Sequence, residues 1–86
     1  MEKIIDVDFR VTWESAVFVR IGNGFRERVD GPDVALSELL HRWPSNSHPE
    51  YALAKRQCVD AIAHQGSPEL AWNAFADAAV VAEVLA

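Results

Sequence analysis

The sequence has one cysteine, Cys58, and its longest uninterrupted apolar stretch covers only residues 78–82. A single cysteine cannot form a disulfide within the chain, which is typical of proteins from a reducing compartment. The apolar stretch is far shorter than the roughly 20 residues that a membrane-spanning helix needs. The first six residues also lack the apolar core of a secretion signal. We therefore expect a cytoplasmic protein without a membrane span.

Basic residues are absent from the last third of the chain, since no Lys or Arg occurs in residues 57–86. The whole chain has 8 basic and 13 acidic residues, for a net charge of −5. An acidic chain gains little from counterion release on a phosphate backbone, so nucleic-acid binding is not favoured. A length of 86 residues, half of them hydrophobic, predicts a single globular domain over residues 1–86 with a thin core. A contact between subunits would stabilise such a domain.

The first half of the chain has the alternating pattern of β-strands. Apolar and polar side chains alternate over residues 5–13, which predicts an N-terminal strand at about 4–12. Two further strand-like segments flank Gly22-Asn23-Gly24, whose residues tolerate the positive φ of a tight turn. We expect a hairpin that pairs 16–21 with 25–30, and the N-terminal strand should extend it to a three-stranded antiparallel sheet.

The second half has three helical segments, and proline occupies the first position of each. The predicted helix starts are Pro32, Pro49 and Pro68. In the first segment Leu36, Leu39 and Leu40 follow helical spacing and form one apolar face. Gly66 is predicted to end the second helix and Ser67 to cap the third. The predicted fold is α+β, with a small antiparallel sheet packed against three α-helices.

The third helix is apolar over most of its circumference. Its polar residues form a narrow stripe at i, i+4 spacing, Glu69, Asn73 and Asp77. A helix of this kind is buried on more than one side, so it is either the central helix or the face that meets a second subunit. The candidate interface residues are Glu69, Trp72, Asn73, Val80 and Val84.

A series of short motifs follows one order along the chain. Gly31-Pro32 is followed by Arg42-Trp43-Pro44, and then by Tyr51, Cys58 and Ser67. Further members of the series are Trp13, Ala16-Val17-Phe18-Val19, Gly22-Asn23-Gly24, Ala35-Leu36, Leu39-Leu40, Ala54, Ala61, Ala71, Ala74-Phe75 and Ala78-Ala79. Over about residues 13–82 this order resembles the small bacterial domain-of-unknown-function family 982. The resemblance implies a small stand-alone bacterial protein and brings no activity, ligand or catalytic residue with it.

The chain departs from that family pattern at two places. Trp72 stands where the pattern has an arginine, and residues 80–86 are more apolar than is usual in the family. Both differences favour an interaction face that is particular to this protein.

No set of residues with catalytic or metal-binding spacing is found. Asp60 and His64 lie at i, i+4 and supply only two ligands, whereas a metal site needs three or four. Cys58 shares a helical face with Tyr51 and Ile62, which predicts a buried and unreactive thiol. We therefore predict no catalytic residue, no metal site and no cofactor.

The sequence favours a non-catalytic protein-interaction or regulatory module. It would act as a homodimer formed through the C-terminal helix, or with an unidentified protein partner. One alternative is a small-molecule-binding domain or enzyme, with a pocket between sheet and helices lined by Arg42, His48 and Tyr51. A weaker alternative is nucleic-acid binding through an arginine face of the sheet. The arginines of that face are Arg10, Arg20, Arg26 and Arg28, against three acidic residues in the same segment.

Overall fold

The computed structural model describes residues 10–86. The elements in chain order are β1 (Val17–Val19), β2 (Glu27–Val29), α1 (Pro32–His41), α2 (Pro49–Ile62) and α3 (Pro68–Val81). Strands β1 and β2 form an antiparallel sheet, and the three helices follow it along the chain. The predicted α+β class is confirmed, and each helix begins at the predicted proline.

The hairpin is shorter than the sequence pattern predicted. Only three residues of each strand pair, with Val17 opposite Val29 at the end away from the turn. Residues 20–26 form the connection, and Gly22 adopts a φ of 65° there. Val17 and Val29 are buried, so the hairpin presents one face to the core.

Most of the predicted N-terminal strand at 4–12 lies outside the described residues, which begin at position 10. Residues 10–12 are described, and they are not part of a strand. They nevertheless lie against the start of α1. A Cβ atom on Gly31 would come within 2.5 Å of the Val11 carbonyl oxygen, so only glycine fits at this approach.

The C-terminal residues cover the edge of β1 that β2 leaves open. After α3, Glu83 takes a φ of 60° and redirects the chain towards the sheet. The Arg20 N–H then donates to the Val84 carbonyl at 2.8 Å, and the Ala86 N–H donates to the Phe18 carbonyl at 2.8 Å. An open strand edge is a template for pairing with other chains, and this contact protects it. Val84 is 6% exposed and belongs to the core, so its prediction as an interface residue is wrong.

Helix α3 is the central helix of the domain. It packs along α2 and also contacts α1 and β1, as one of the two sequence interpretations predicted. Its Phe75 lies at the centre of the core, with ring centroids 5.4 Å from Trp43 and 6.0 Å from Trp13. Six of the eight buried residues of α2 and α3 are alanines, which let the two helices approach closely.

The link between α2 and α3 ends α2 differently from the prediction. Helix α2 ends at Ile62, and His64, with a φ of 60°, takes the left-handed position predicted for Gly66. Gly66 is required for another reason, since a Cβ atom there would lie 2.8 Å from the Asp60 Cβ. The glycine therefore serves a close approach of the link to the helix.

The C-terminal contact leads to a prediction about stability. Val84→Ala should lower the free energy of unfolding by roughly 2 kcal/mol, because it removes methyl groups that are buried in the core. Leu85→Ala is the matched control, since Leu85 is 51% exposed and should cost less than about 0.5 kcal/mol. Urea unfolding of both variants measures the difference. Equal losses at the two positions would show that the C-terminal residues do not pack in this way.

Candidate functional site

A cleft of about 760 Å³ opens between the segment before β1 and the first two turns of α3. Residues 12–15 form one wall, and residues 67–69, 72 and 73 form the other. Three predicted interface residues, Glu69, Trp72 and Asn73, meet in this cleft. The opposite wall comes from a segment that the sequence pattern assigned to the sheet and its connection.

Two tryptophans tie the walls of the cleft together. The Trp13 Nε1–H donates to the Pro68 carbonyl at 2.9 Å. In the other direction, the Trp72 Nε1–H donates to the Ser15 carbonyl at 2.8 Å. Trp13 is buried and Trp72 is partly buried against the core, so each indole is held by packing as well as by its hydrogen bond. These bonds join residues more than 50 positions apart, a separation for which the sequence has no local signal.

The amide groups at the start of α3 are satisfied within the helix. The Ser67 Oγ accepts the N–H groups of Glu69 at 3.1 Å and Leu70 at 3.3 Å, which confirms Ser67 as the predicted cap. The Ser67 carbonyl accepts the Ala71 N–H at 3.2 Å. The backbone N–H groups of Glu69, Leu70 and Ala71 are therefore already paired, although such groups at helix starts often bind an anion.

The remaining predicted interface residues lie away from the cleft. Val80 is 58% exposed and lies about two turns beyond Asn73 on α3. Val84 is in the core, as described above. The predicted patch is thus divided into a cleft at the start of α3 and an exposed apolar position near its end.

The structure does not assemble the alternative pocket of Arg42, His48 and Tyr51. The Tyr51 hydroxyl donates to the Leu39 carbonyl at 2.9 Å, which fixes its side chain between α1 and α2. Arg42 bonds to Glu27 of the hairpin, and His48 is an exposed residue preceding α2. None of the three lines the cleft or a smaller cavity of about 200 Å³ near Arg10. Tyr51 joins α1 to α2 and Arg42 joins the hairpin to the end of α1, whereas His48 is exposed.

Glu38 is a buried carboxylate beside the ion pair of Arg42 and Glu27. It is 8% exposed, its Oε1 has no hydrogen-bond partner, and the nearest Arg42 nitrogen is 3.9 Å away. Burial raises the pKa of Glu38, the neighbouring Glu27 raises it further, and the charge of Arg42 opposes both effects. The group is poised to hold a proton more tightly in the folded chain than in the unfolded one.

Cys58 is fully buried on α2, as predicted. Burial raises the pKa of its thiol to about 12, so the reactive thiolate is scarce at neutral pH. The position therefore favours a packing role over a nucleophilic one.

Three of the four arginines assigned to the nucleic-acid face, Arg10, Arg26 and Arg28, contact other side chains of the chain. Arg10 bonds to Asp30 at 2.6 Å and to Asp33 at 2.7 Å, and Arg28 bonds to Asp30 at 3.1 Å. The Arg10 guanidinium lowers the pKa of Asp30. Arg26 lies over the ring of Phe18, 4.0 Å from its centroid. These contacts reduce the positive charge that the face could offer to a phosphate backbone.

Within residues 10–86, no group of three or more His, Cys, Asp or Glu side chains is placed to hold a metal ion. In the same part of the chain, none of the helices combines the length and the apolar character needed to cross a membrane.

Comparison with known proteins agrees with the sequence resemblance. The profile of the family "Protein of unknown function (DUF982)" matches residues 15–86. The chain belongs to this family. The NMR structure of the Agrobacterium tumefaciens protein Atu1219 is similar to this chain. The two share 29% identity and a TM-score of 0.73, and the match covers 88% of this chain and 76% of that one. No curated protein matches this DUF982 chain with significance.

The buried carboxylate predicts that Glu38→Gln stabilises this DUF982 protein, and that the gain in stability depends on pH. The folded pKa of Glu38 is raised, so the wild type loses stability as pH rises from about 4.5 through the folded pKa. Glutamine does not titrate, and the variant should unfold at higher urea concentration than wild type at pH 7, with the difference shrinking near pH 4. Glu14→Gln, at an exposed site, is the control and should change stability by less than about 0.5 kcal/mol. A loss of stability at pH 7 would mean that ionised Glu38 stabilises the fold through Arg42.

Burial of Cys58 predicts slow thiol chemistry. A thiol reagent at neutral pH should label the folded DUF982 chain far more slowly than a free thiol, because attack requires an accessible thiolate. In denaturing urea the same residue should react at the rate of an ordinary cysteine. Labelling of the folded chain as fast as that of a free thiol would place Cys58 at the surface, and faster labelling would make it a candidate nucleophile.

Proposed function

We propose that this DUF982 protein is a non-catalytic protein-interaction module. It self-associates through the exposed side of α3, which includes Leu70 and Val80. The observation that carries the proposal is the distribution of side-chain size. Nearly half of the buried hydrophobic residues are alanines, while several bulky aliphatic residues are exposed. The proposal includes a cytoplasmic location, which the single free thiol supports.

Many bulky apolar side chains of the chain lie outside the core. Of the 15 buried hydrophobic residues within 10–86, seven are alanine. Nine large hydrophobic residues in the same part of the chain are exposed. Six of these nine lie on the α2–α3 pair, namely Leu53, Val59, Ile62, Leu70, Val80 and Val81. Single exposed aliphatic side chains are ordinary, but six on two adjacent helices favour a contact surface.

Helix α3 is the better placed of the two helices for that contact. Leu70 is 53% exposed and Val80 is 58% exposed, while the polar stripe between them is one residue wide per turn. Burial of a Leu or Val side chain stabilises by roughly 1.5–3 kcal/mol, so a few such residues matter to a domain with a thin core. Association of two copies would supply the burial that the alanine-rich core does not.

The nucleic-acid alternative receives less support. Arg10 and Arg28 are paired with carboxylates, and Arg26 lies over an aromatic ring. The net charge of −5 opposes approach to a phosphate backbone.

The proposed self-association predicts a dimer at micromolar concentration that Val80→Lys disrupts. Val80 lies in the last turn of α3, where a lysine suits the helix dipole and the fold should be kept. Leu40→Lys is the matched control, because Leu40 is 52% exposed and lies in the last turn of α1. Light scattering and sedimentation of the three proteins should show a dimeric wild type, a monomeric Val80→Lys variant and a dimeric Leu40→Lys variant.

Two results would contradict this proposal. A wild type that stays monomeric throughout the micromolar range would exclude self-association as the function of α3. Dissociation by Leu40→Lys with Val80→Lys still dimeric would place the contact on α1.

A further inference from the structure

The cleft between residues 12–15 and the start of α3 has an unusual hydrogen-bond inventory, because its strongest donors are already used. The indole N–H groups of Trp13 and Trp72 donate to carbonyls of the opposite wall. The first free amides of α3 donate to Ser67. Trp13 is 8% exposed, so Trp72 is the indole whose ring can contact a ligand, and the Glu69 and Leu70 amides at the helix start are already paired.

The carboxylates of the cleft, in contrast, have no ion-pair partner within residues 10–86. Glu14 and Glu69 stand on opposite walls, and neither forms an ion pair within residues 10–86. None of the described lining residues is Lys, Arg or His, and residues 57–86 contain no Lys or Arg at all. A ligand that carries positive charge and donates hydrogen bonds would satisfy these carboxylates.

The partly exposed ring of Trp72, together with the two carboxylates, limits the class of cation that would fit the cleft. A guanidinium group is planar, presents its donors as a fork that matches carboxylates, and stacks on indole rings. A metal cation would leave the indoles unused. The volume of about 760 Å³ lies in the range of small-ligand sites and leaves room for the alkyl chain that carries such a group.

From these observations we propose that the cleft binds a guanidinium cation, with Glu14 and Glu69 as its anionic partners and Trp72 as its stacking surface. The group comes either from a free arginine-like molecule or from an arginine side chain on a protein. This site does not depend on self-association through Val80, which lies about two turns away from the cleft on α3.

Arginine amide and citrulline amide form a matched pair of probes, since citrulline replaces the guanidinium with a neutral urea group of the same shape. The full chain is titrated with each compound, and the indole N–H signals are followed by NMR. Signals of Trp13 and Trp72 should shift saturably with arginine amide, and the shift with citrulline amide should be much smaller. Trp43 does not line the cleft and is the internal reference.

Variants of single carboxylates test the proposed partners. Glu69→Gln and Glu14→Gln should each weaken binding of arginine amide by about fivefold, the effect of removing one partly exposed ionic contact. Asp77→Asn makes the same change of charge on α3 outside the cleft, and it should weaken binding by less than about twofold.

Two further results decide the proposal and the source of the cation. Equal binding of arginine and citrulline amides, equal shifts at all three indoles, or no saturable shift would overturn the guanidinium site. With specific binding established, a capped Gly-Arg-Gly peptide that binds more tightly than arginine amide would indicate a protein-borne arginine. Equal affinity for the peptide and the amide would support a free ligand. Neither result depends on the oligomeric state.

Discussion

Close packing of α3 along α2 is the contact around which the other elements of the domain are arranged. The buried residues of these two helices are six alanines, Cys58 and Phe75. Small side chains allow a short distance between helix axes, and one large ring then fills the space between this pair and the rest of the core. Trp13 and Trp43 reach Phe75 from the segment before β1 and from the end of α1. Phe75 thereby joins three parts of the chain.

The same packing has a consequence for the surface. Alanine buries little area, so the core of a chain this small yields little hydrophobic stabilisation. Contacts at the edges compensate in part, such as the C-terminal residues on β1 and the hydrogen bonds of Trp13 and Trp72. Several bulky aliphatic residues of α2 and α3 are exposed, and the proposed interaction role rests on them. A cleft also remains between residues 12–15 and the start of α3, where the indole N–H groups of Trp13 and Trp72 bond to the opposite wall.

Much of the local structure could be predicted from the sequence because local chemistry controls it. Proline at a first helical position, the Ser67 cap and the alternation of the hairpin each act within a few residues. The helix starts and the cap agree with the structure, and the hairpin forms with shorter strands than predicted. Predictions that depended on distant neighbours were less successful. Leu40 has the spacing of a core residue and is half exposed, and Gly66 serves a contact with Asp60 in place of a left-handed turn. Helical spacing gives the direction of a side chain but does not say whether another element covers it.

The candidate site, like the fold, has some features that follow from local sequence and others that depend on contacts between distant residues. By itself the sequence determined the fold class, the helix starts, the burial of Cys58, the acidic character of the last third and the family to which the chain belongs. It also marked Glu69 and Asn73, which belong to the polar stripe of one helix, and Trp72, which departs from the family pattern. Only the tertiary structure placed residues 12–15 against that stripe and moved Val84 into the core. Those contacts join residues more than 50 positions apart, and their free energy comes from burial and hydrogen bonds formed after the helices have packed.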